Sequence, residues 1–155
     1  LDHNRSDLLS LPALVPVLAR SFIDPVATGA DIRAVASHHL RCGDEASAFR
    51  LLNANRDALT AAGLLDLARL HRLRGEWPQA LAIWEPLVAD GQAKAMESLA
   101  KYLEHQARDY RRALSVAGCL PASPEREHRC RRLQGRLEAK GQFRARLSAS
   151  EYHGG

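Results

Sequence analysis

An acidic residue, an alanine and an apolar residue recur in the same order three times along the middle of this chain. Each segment begins with a turn position and an acidic residue, and an Ala follows five residues after its start. The segments are Gly43-Asp44-Glu45 with Ala48-Phe49, Gly75-Glu76-Trp77 with Ala80-Leu81, and Arg108-Asp109-Tyr110 with Ala113-Leu114. Because they begin at positions 43, 75 and 108, they lie 32 and 33 residues apart. A period of this length is typical of stacked helix pairs.

Each segment predicts a corner between two helices. A helical stretch precedes it, marked by Val35-Ala36, Leu67-Ala68 or Leu99-Ala100. Gly43 and Gly75 permit a left-handed turn, and the acidic residue after each is favoured at the start of the next helix. The small Ala then lets the two helices approach closely. The third segment has Arg108 in place of Gly and one extra residue before it, so we expect that corner to close differently.

These corners predict helix pairs at 31–42 with 45–57, 59–74 with 76–89, and 92–106 with 109–119. Pro78 falls in the first turn of its helix, where a missing N–H is tolerated, whereas Pro86 should kink or shorten that helix. A last helix at about 125–140 has one narrow apolar seam, Cys130, Leu133 and Leu137, as expected for a cap. We therefore predict an all-α fold, a short α-solenoid of about three antiparallel, tetratricopeptide-like helix pairs plus a C-terminal capping helix.

The N-terminal segment has a different pattern. Its apolar run is interrupted by Pro12 and Pro16, which predicts a short turn of helix followed by a kinked one. The members of this run are Leu8, Leu9, Leu11, Leu14, Val15 and Leu18. We divide the chain into this segment (1–22), a connector (23–30), the repeats (31–120), a basic capping helix (121–140) and a flexible tail (141–155).

Composition supports helix and argues against a membrane protein. Leu, Ala and Arg are abundant and are strong helix formers. No apolar run approaches the ~18–20 residues of a membrane span and no secretory signal is visible, so we expect a cytoplasmic protein. Cys42, Cys119 and Cys130 lack CxxC spacing and predict neither a disulfide framework nor a zinc site. Trp77 and Trp84 share one helical face and indicate either core packing or a peptide-binding groove.

The positive charge of the chain is concentrated at its C-terminal end. Residues 1–125 carry 14 basic and 15 acidic side chains, whereas residues 126–155 carry 8 basic and 3 acidic ones. Arginine suits bidentate contacts with phosphate, so this stretch is a candidate for binding a nucleic-acid backbone. The candidate residues are Arg126, Arg129, Arg131, Arg132, Arg136 and Lys140. The alternative interpretation is the solvated outer face of a capping helix.

His3 and Asp7 form the one pattern that suggests catalysis. Four residues apart, they would share a helix face, where a His and a carboxylate can serve as base and metal ligand; the alternative is an exposed, frayed pair. The string His3-Asn4-Arg5-Ser6-Asp7-Leu8-Leu9-Ser10-Leu11 resembles the last active-site motif of ribonuclease-H-like 3′–5′ exonucleases. Three later stretches are similar to the repeats that follow the nuclease domain in the bacterial YprB-type family, namely residues 67–85, 97–105 and 108–114. The resemblance covers about residues 3–138.

This resemblance implies a C-terminal fragment of such an exonuclease. It matches His3 to the general-base position and Asp7 to a metal-ligand position, and it implies Mg²⁺ or Mn²⁺ for the parent enzyme. The spacing of four is that of the family's Tyr-type motif, whereas the His-type usually has five. The family's other three acidic ligands lie upstream, in sequence that this chain lacks. Because two-metal chemistry needs a cluster of carboxylates, we expect no cofactor and no nuclease activity in this chain alone.

Three functions remain open from the sequence. The first is a helical-repeat interaction module of a metal-dependent ribonuclease-H-like exonuclease acting on nucleic acid, with the missing nuclease domain or another protein as its partner. The second is a free-standing tetratricopeptide-like adaptor that binds a protein or peptide and has no nucleic-acid role. The third is a nucleic-acid-binding module that acts through the C-terminal arginines. None of the three involves a membrane.

Overall fold

The computed structural model describes residues 16, 19, 20 and 25–151, except for the side chains of residue 26 and residues 143–151. Regular structure in this described part is helical throughout, which confirms the predicted all-α class. The helices are α1 (Pro25–Thr28), α2 (Ile32–Arg41), α3 (Glu45–Ala54), α4 (Ala61–Leu73), α5 (Trp77–Ala89), α6 (Ala93–His105), α7 (Tyr110–Gly118) and α8 (Pro124–Glu151). His3, Asp7 and the N-terminal apolar run, for which the sequence made predictions, lie outside the described residues.

Helix ends fall close to the predicted positions, with three differences. α3 ends at Ala54, and a 3₁₀ turn at Arg56–Ala58 follows it instead of a further helical turn. α5 continues past Pro86 to Ala89, so this proline does not shorten it. α8 continues to Glu151, beyond the predicted end near residue 140. The residues after 140 are mostly helix formers such as Arg, Ala and Leu, and no proline interrupts them.

The predicted glycine corners are present and share one hydrogen-bond pattern. At Gly43 (φ 79°), the Gly43 N–H donates to the Leu40 carbonyl at 3.1 Å and the Asp44 N–H donates to the His39 carbonyl at 2.9 Å. This is the Schellman arrangement, which needs a left-handed residue after the helix. Gly75 (φ 75°) forms the same pair of bonds. The Asp44 carboxylate then accepts from the Ser47 N–H at 2.9 Å and caps α3.

The third corner closes differently, as the sequence predicted. Its turn is one residue longer, because the Asp109 N–H reaches back six residues to the Leu103 carbonyl at 2.9 Å. Arg108 takes the left-handed position with φ 52°, and no other non-glycine residue in the described part has a positive φ. A side chain in this conformation costs on the order of 1 kcal/mol relative to glycine.

The chain forms two compact units, residues 1–76 and 77–155. In the first unit α2 packs on α3 and α3 packs on α4; in the second, α5, α6, α7 and α8 each pack on the next helix along the chain. Within each unit, consecutive packed helices joined by short turns are consistent with a short helical solenoid. The unit boundary follows the Gly75 corner, so the second predicted helix pair is divided between the two units.

The cores are built from the leucines and alanines that the repeat predicted. The first unit buries Val35, Ala36, Ala48, Leu52, Leu67, Ala68 and Leu70. The second unit buries Ala80, Ile83, Trp84, Leu87, Ala95, Met96, Leu99, Ala100, Leu103, Ala113, Ala117 and Leu133. The alanines that follow the three corners (Ala48, Ala80 and Ala113) are 0% exposed. At the first and third corners, the two helices that the corner joins also pack on each other.

A polar cluster closes the C-terminal end of α4 in the first unit. The buried His71 ring lies edge-on to Phe49 with centroids 5.1 Å apart, and its Nδ1 is 2.6 Å from Oε2 of Glu76. Arg74 donates to the same carboxylate at 3.1 Å and lies 4.1 Å from the Phe49 centroid. Hydrogen bonds from His71 and then from Arg74 hold the pKa of Glu76 below its ordinary value. The cluster therefore joins α3, α4 and the Gly75 corner.

Candidate nucleic-acid interface on the C-terminal unit

The basic residues predicted to bind nucleic acid lie around the seam by which α8 packs on its unit. Leu133 is fully buried, while Cys130 and Leu137 are half-buried, so the predicted narrow seam is confirmed. The six basic side chains lie on both sides of this seam and have different surroundings. Arg131 is exposed, and no ion pair or hydrogen bond of its side chain occurs within the described residues.

Arg132 is engaged in packing α8 against α6. Its Nε and Nη2 donate to the two carboxylate oxygens of Glu104 at 2.9 and 2.8 Å. The Glu104 side chain is 0% exposed, whereas that of Arg132 is 40% exposed. Burial alone would raise the pKa of Glu104, but the hydrogen bonds and charge of Arg132 hold it below its ordinary value. Sequence reasoning missed this pair because its members are 28 residues apart.

Arg136 and Lys140 gather around the ring of Tyr110, which begins α7. The Arg136 guanidinium carbon lies 5.5 Å from the ring centroid, and its Nη1 donates to the Tyr110 hydroxyl at 3.4 Å. The Lys140 Nζ lies 5.9 Å from the same centroid. Cations at these distances from an aromatic face are weakly attracted to it. The ring therefore positions two of the six predicted residues beside one another.

The same region contains an open cleft with a volume of about 570 Å³. Its lining comes from the third corner, the start of α7 and the later part of α8: Ala107, Arg108, Asp109, Tyr110, Arg111, Leu137, Lys140 and Gly141. Three of these residues are basic, and Asp109 is acidic. The Asp109 carboxylate accepts from the Arg112 N–H at 3.1 Å and caps α7. We name this region the corner cleft.

Arg108 and Arg111 belong to the corner cleft, but the sequence interpretation had not assigned them to a site. The signal was available at Arg108, where a cation replaces the glycine found at the two earlier corners. Arg108 holds a strained left-handed backbone conformation, and residues in such conformations are often found at functional sites. Arg111 carried no comparable signal, because it lies among other exposed charges on the outer face of α7.

Arg126 and Arg129 are half-buried and lie at the other end of α8. They line a second cavity together with the beginning of α6. The two cavities share no lining residue. Eleven residues separate Arg129 from Lys140, which corresponds to roughly 17 Å along a helix axis. The six predicted residues therefore have five different surroundings. Arg126 and Arg129 line one cavity and Lys140 lines the other. Arg132 is in an ion pair, Arg136 donates to the Tyr110 hydroxyl and Arg131 is exposed.

Ligands for a metal ion are not brought together in the described part of the chain. No group of three His, Cys, Asp or Glu side chains there could hold an ion. His3 and Asp7, the residues that the resemblance matched to a nuclease site, lie outside the described residues. Among helices in the described ranges, none combines the length and apolar character that crossing a membrane requires.

The fold and the surface chemistry define a class: an all-helical protein whose helices pack consecutively within each of two units, the second of which is basic. Comparison with known proteins adds no closer identification, because no protein-family model, no curated protein and no solved structure matches this chain.

Proposed function

We propose that this chain is a tetratricopeptide-like interaction module whose C-terminal unit binds the sugar-phosphate backbone of nucleic acid. The corner cleft is the observation that carries the proposal. Arg108, Arg111 and Lys140 line it and are exposed, and none of the three has a carboxylate partner within the described ranges. The one carboxylate of the lining, from Asp109, accepts a helix-capping hydrogen bond. The cleft thus offers several free cations to a polyanion.

The chemistry of the cleft favours contacts with phosphate over contacts with bases. Arginine guanidinium groups form bidentate hydrogen bonds with phosphate oxygens. Tyr110, the aromatic residue of the lining, is half-buried and has Arg136 and Lys140 beside its ring, so its face is partly occupied. Without a free aromatic platform, base stacking contributes little. We therefore expect binding that depends weakly on sequence.

The parent protein of this module is proposed to be a metal-dependent ribonuclease-H-like 3′–5′ exonuclease. This part of the proposal depends on the resemblance of residues 3–11 and of the repeats to the YprB-type family. The module would position the nuclease domain on its substrate, and Mg²⁺ or Mn²⁺ would act in that domain. Reading the genomic sequence upstream of Leu1 tests the idea: three further acidic motifs are expected there, and an ordinary start codon directly before Leu1 would contradict it.

Binding of a fluorescent, mixed-sequence, single-stranded oligonucleotide over a series of salt concentrations tests the module itself. Each phosphate contact releases condensed counterions, so the logarithm of the affinity should fall linearly with the logarithm of the salt concentration. Arg111→Ala should weaken binding by about 1 kcal/mol, roughly fivefold. It should also reduce the salt slope by about 0.7.

Arg131→Ala is the matched control, because it removes the same charge from an exposed position outside both cavities. Its affinity should stay within about twofold of the unmodified chain. Equal losses in the two variants would mean that net charge, and not the corner cleft, drives binding. A chain that binds no oligonucleotide at low salt would contradict the proposal and favour the adaptor for a protein or peptide.

A further inference from the structure

A second cavity lies between the beginnings of α6 and α8 in the C-terminal unit. Its volume is about 360 Å³. Its lining is Ala93, Lys94, Glu97, Leu120, Pro121, Ser123, Glu125, Arg126 and Arg129. Three of these side chains are cations and two are carboxylates. We name this cavity the α6–α8 pocket.

Both carboxylates of the α6–α8 pocket already have donors. Glu97 accepts from Lys101 Nζ at 2.6 Å, and this bond holds the pKa of Glu97 below its ordinary value. The pKa of Glu125 is lowered by its own backbone N–H and by the Ser123 hydroxyl. Hydrogen bonds therefore stabilise the negative charges of Glu97 and Glu125, and the positive charge of Lys101 also offsets the charge of Glu97. The three cations of the lining outnumber its two carboxylates, and Lys101 adds a further positive charge beside Glu97.

Those cations leave hydrogen-bonding capacity unused, although the charge of Arg129 helps to lower the pKa of Glu97 and Glu104. Neither Lys94 nor Arg126 forms a side-chain hydrogen bond or ion pair within the part of the chain that the structure describes. The Nη1 of Arg129 is buried and has no hydrogen-bond partner there. A buried donor of a charged group without an acceptor destabilises the folded state, and native structures rarely retain one without a reason. An acceptor with negative charge would remove this cost.

We propose that the α6–α8 pocket binds a phosphomonoester. A carboxylate offers one negative charge, whereas a phosphomonoester carries up to two and has three terminal oxygens. Two arginines three residues apart on α8 and a lysine from α6 match that greater charge and number of acceptors. The apolar part of the lining, Ala93, Leu120 and Pro121, can contact the organic group that carries the phosphate.

The phosphate has two chemical sources, a free phosphate or mononucleotide, and the phosphorylated end of a nucleic-acid strand. The second source rests on the proposed nucleic-acid function. Because the α6–α8 pocket and the corner cleft share no residue and lie roughly 17 Å apart along α8, a strand could contact both. The two binding sites can also be tested separately.

Calorimetric titration with inorganic phosphate at constant ionic strength, set by chloride, tests the pocket directly. We expect saturable binding of one phosphate per chain. Arg126→Gln should weaken it at least about tenfold, the loss expected for a hydrogen bond between charged groups. Arg131→Gln, which removes the same charge from α8 outside the pocket, should leave the phosphate affinity within about twofold. No saturable binding, or equal losses in the two variants, would overturn the proposal.

Lys94→Gln provides a second variant on a different helix, in case Arg126→Gln disturbs the start of α8. Far-ultraviolet circular dichroism should show unchanged helix content for both variants. If both retain their fold and both bind phosphate as the unmodified chain does, the pocket is not a phosphate site. A loss in Lys94→Gln together with that in Arg126→Gln supports a site formed by α6 and α8.

Oligonucleotides with a terminal phosphate or a terminal hydroxyl separate the two sources. At least tenfold tighter binding of the phosphorylated strand, lost in Arg126→Gln, supports a strand end as the ligand. Equal binding of both strands, with phosphate still bound, rejects the strand end and supports the free phosphate or mononucleotide. Failure of the hydroxyl-ended strand to bind at all contradicts the proposed function but leaves the phosphate titration as an independent test.

Discussion

Replacing Arg132 should destabilise the C-terminal unit much more than replacing Glu104, although the two residues form one ion pair. The Glu104 side chain is 0% exposed and that of Arg132 is 40% exposed. Arg132→Leu leaves a buried carboxylate without its two hydrogen bonds, which costs 3–5 kcal/mol in fully buried pairs. Water can reach the side on which Arg132 was half-exposed, so we expect the low end, about 3 kcal/mol. Glu104→Leu leaves a cation that water can solvate and should cost about 1 kcal/mol.

The double variant should be much more stable than the sum of the two single changes predicts. Replacing both members of a buried pair by apolar residues is often close to neutral. The coupling energy from the double-mutant cycle should therefore exceed about 2 kcal/mol. The pair also makes stability depend on pH. Because the pKa of Glu104 is lower in the folded state, its contribution is present above the ordinary glutamate pKa and is lost as pH falls through the folded value.

Urea denaturation followed by tryptophan fluorescence measures how each variant changes the free energy of unfolding of the second unit. The chain contains two tryptophans, Trp77 and Trp84, and both belong to the second unit. The midpoints convert to free energies of unfolding through the slope of the transition. If Arg132→Leu cost no more than Glu104→Leu, or if the double variant were additive, the argument from unequal burial would be refuted.

Three further predictions follow from backbone strain, core packing and charge. Arg108→Gly should raise the free energy of unfolding by up to about 1 kcal/mol and should also weaken oligonucleotide binding. A misfolded variant cannot produce this combination, and a loss of stability would contradict backbone strain at Arg108. Leu133→Ala should lower the free energy of unfolding, measured by urea denaturation, by about 3–5 kcal/mol, because Leu133 is fully buried. Leu73→Ala, at a half-exposed site, should change it by less than about 1 kcal/mol. Glu76→Gln should reduce the fall in melting temperature on going from pH 5 to pH 3. The pKa of Glu76 is lowered in the folded state, so its carboxylate contributes stability that is lost as pH falls through that lowered pKa. Parallel pH profiles of the melting temperature in the two proteins would contradict this.

The helices and their corners could be predicted from the sequence because local chemistry determines them. Gly43 and Gly75 adopt the left-handed conformation that glycine accepts without strain, and the acidic residue after each begins the following turn. Alanines at a fixed distance from each corner are buried, and the helices joined at the first and third corners pack closely on each other. The end of α8 differs from the predicted one because the helix continues through Gly141, a residue type that often ends helices.

Local sequence patterns were enough to predict that this chain is helical, where its middle turns and that its excess of positive charge lies in the last thirty residues. The sequence could not distinguish among the arginines, because their roles depend on residues far away along the chain. Only the tertiary structure brings Glu104 to Arg132, sets Tyr110 beside Arg136 and places Lys94 in one pocket with Arg129. Helix propensity acts over a few residues, whereas a binding surface forms from side chains that packing brings together.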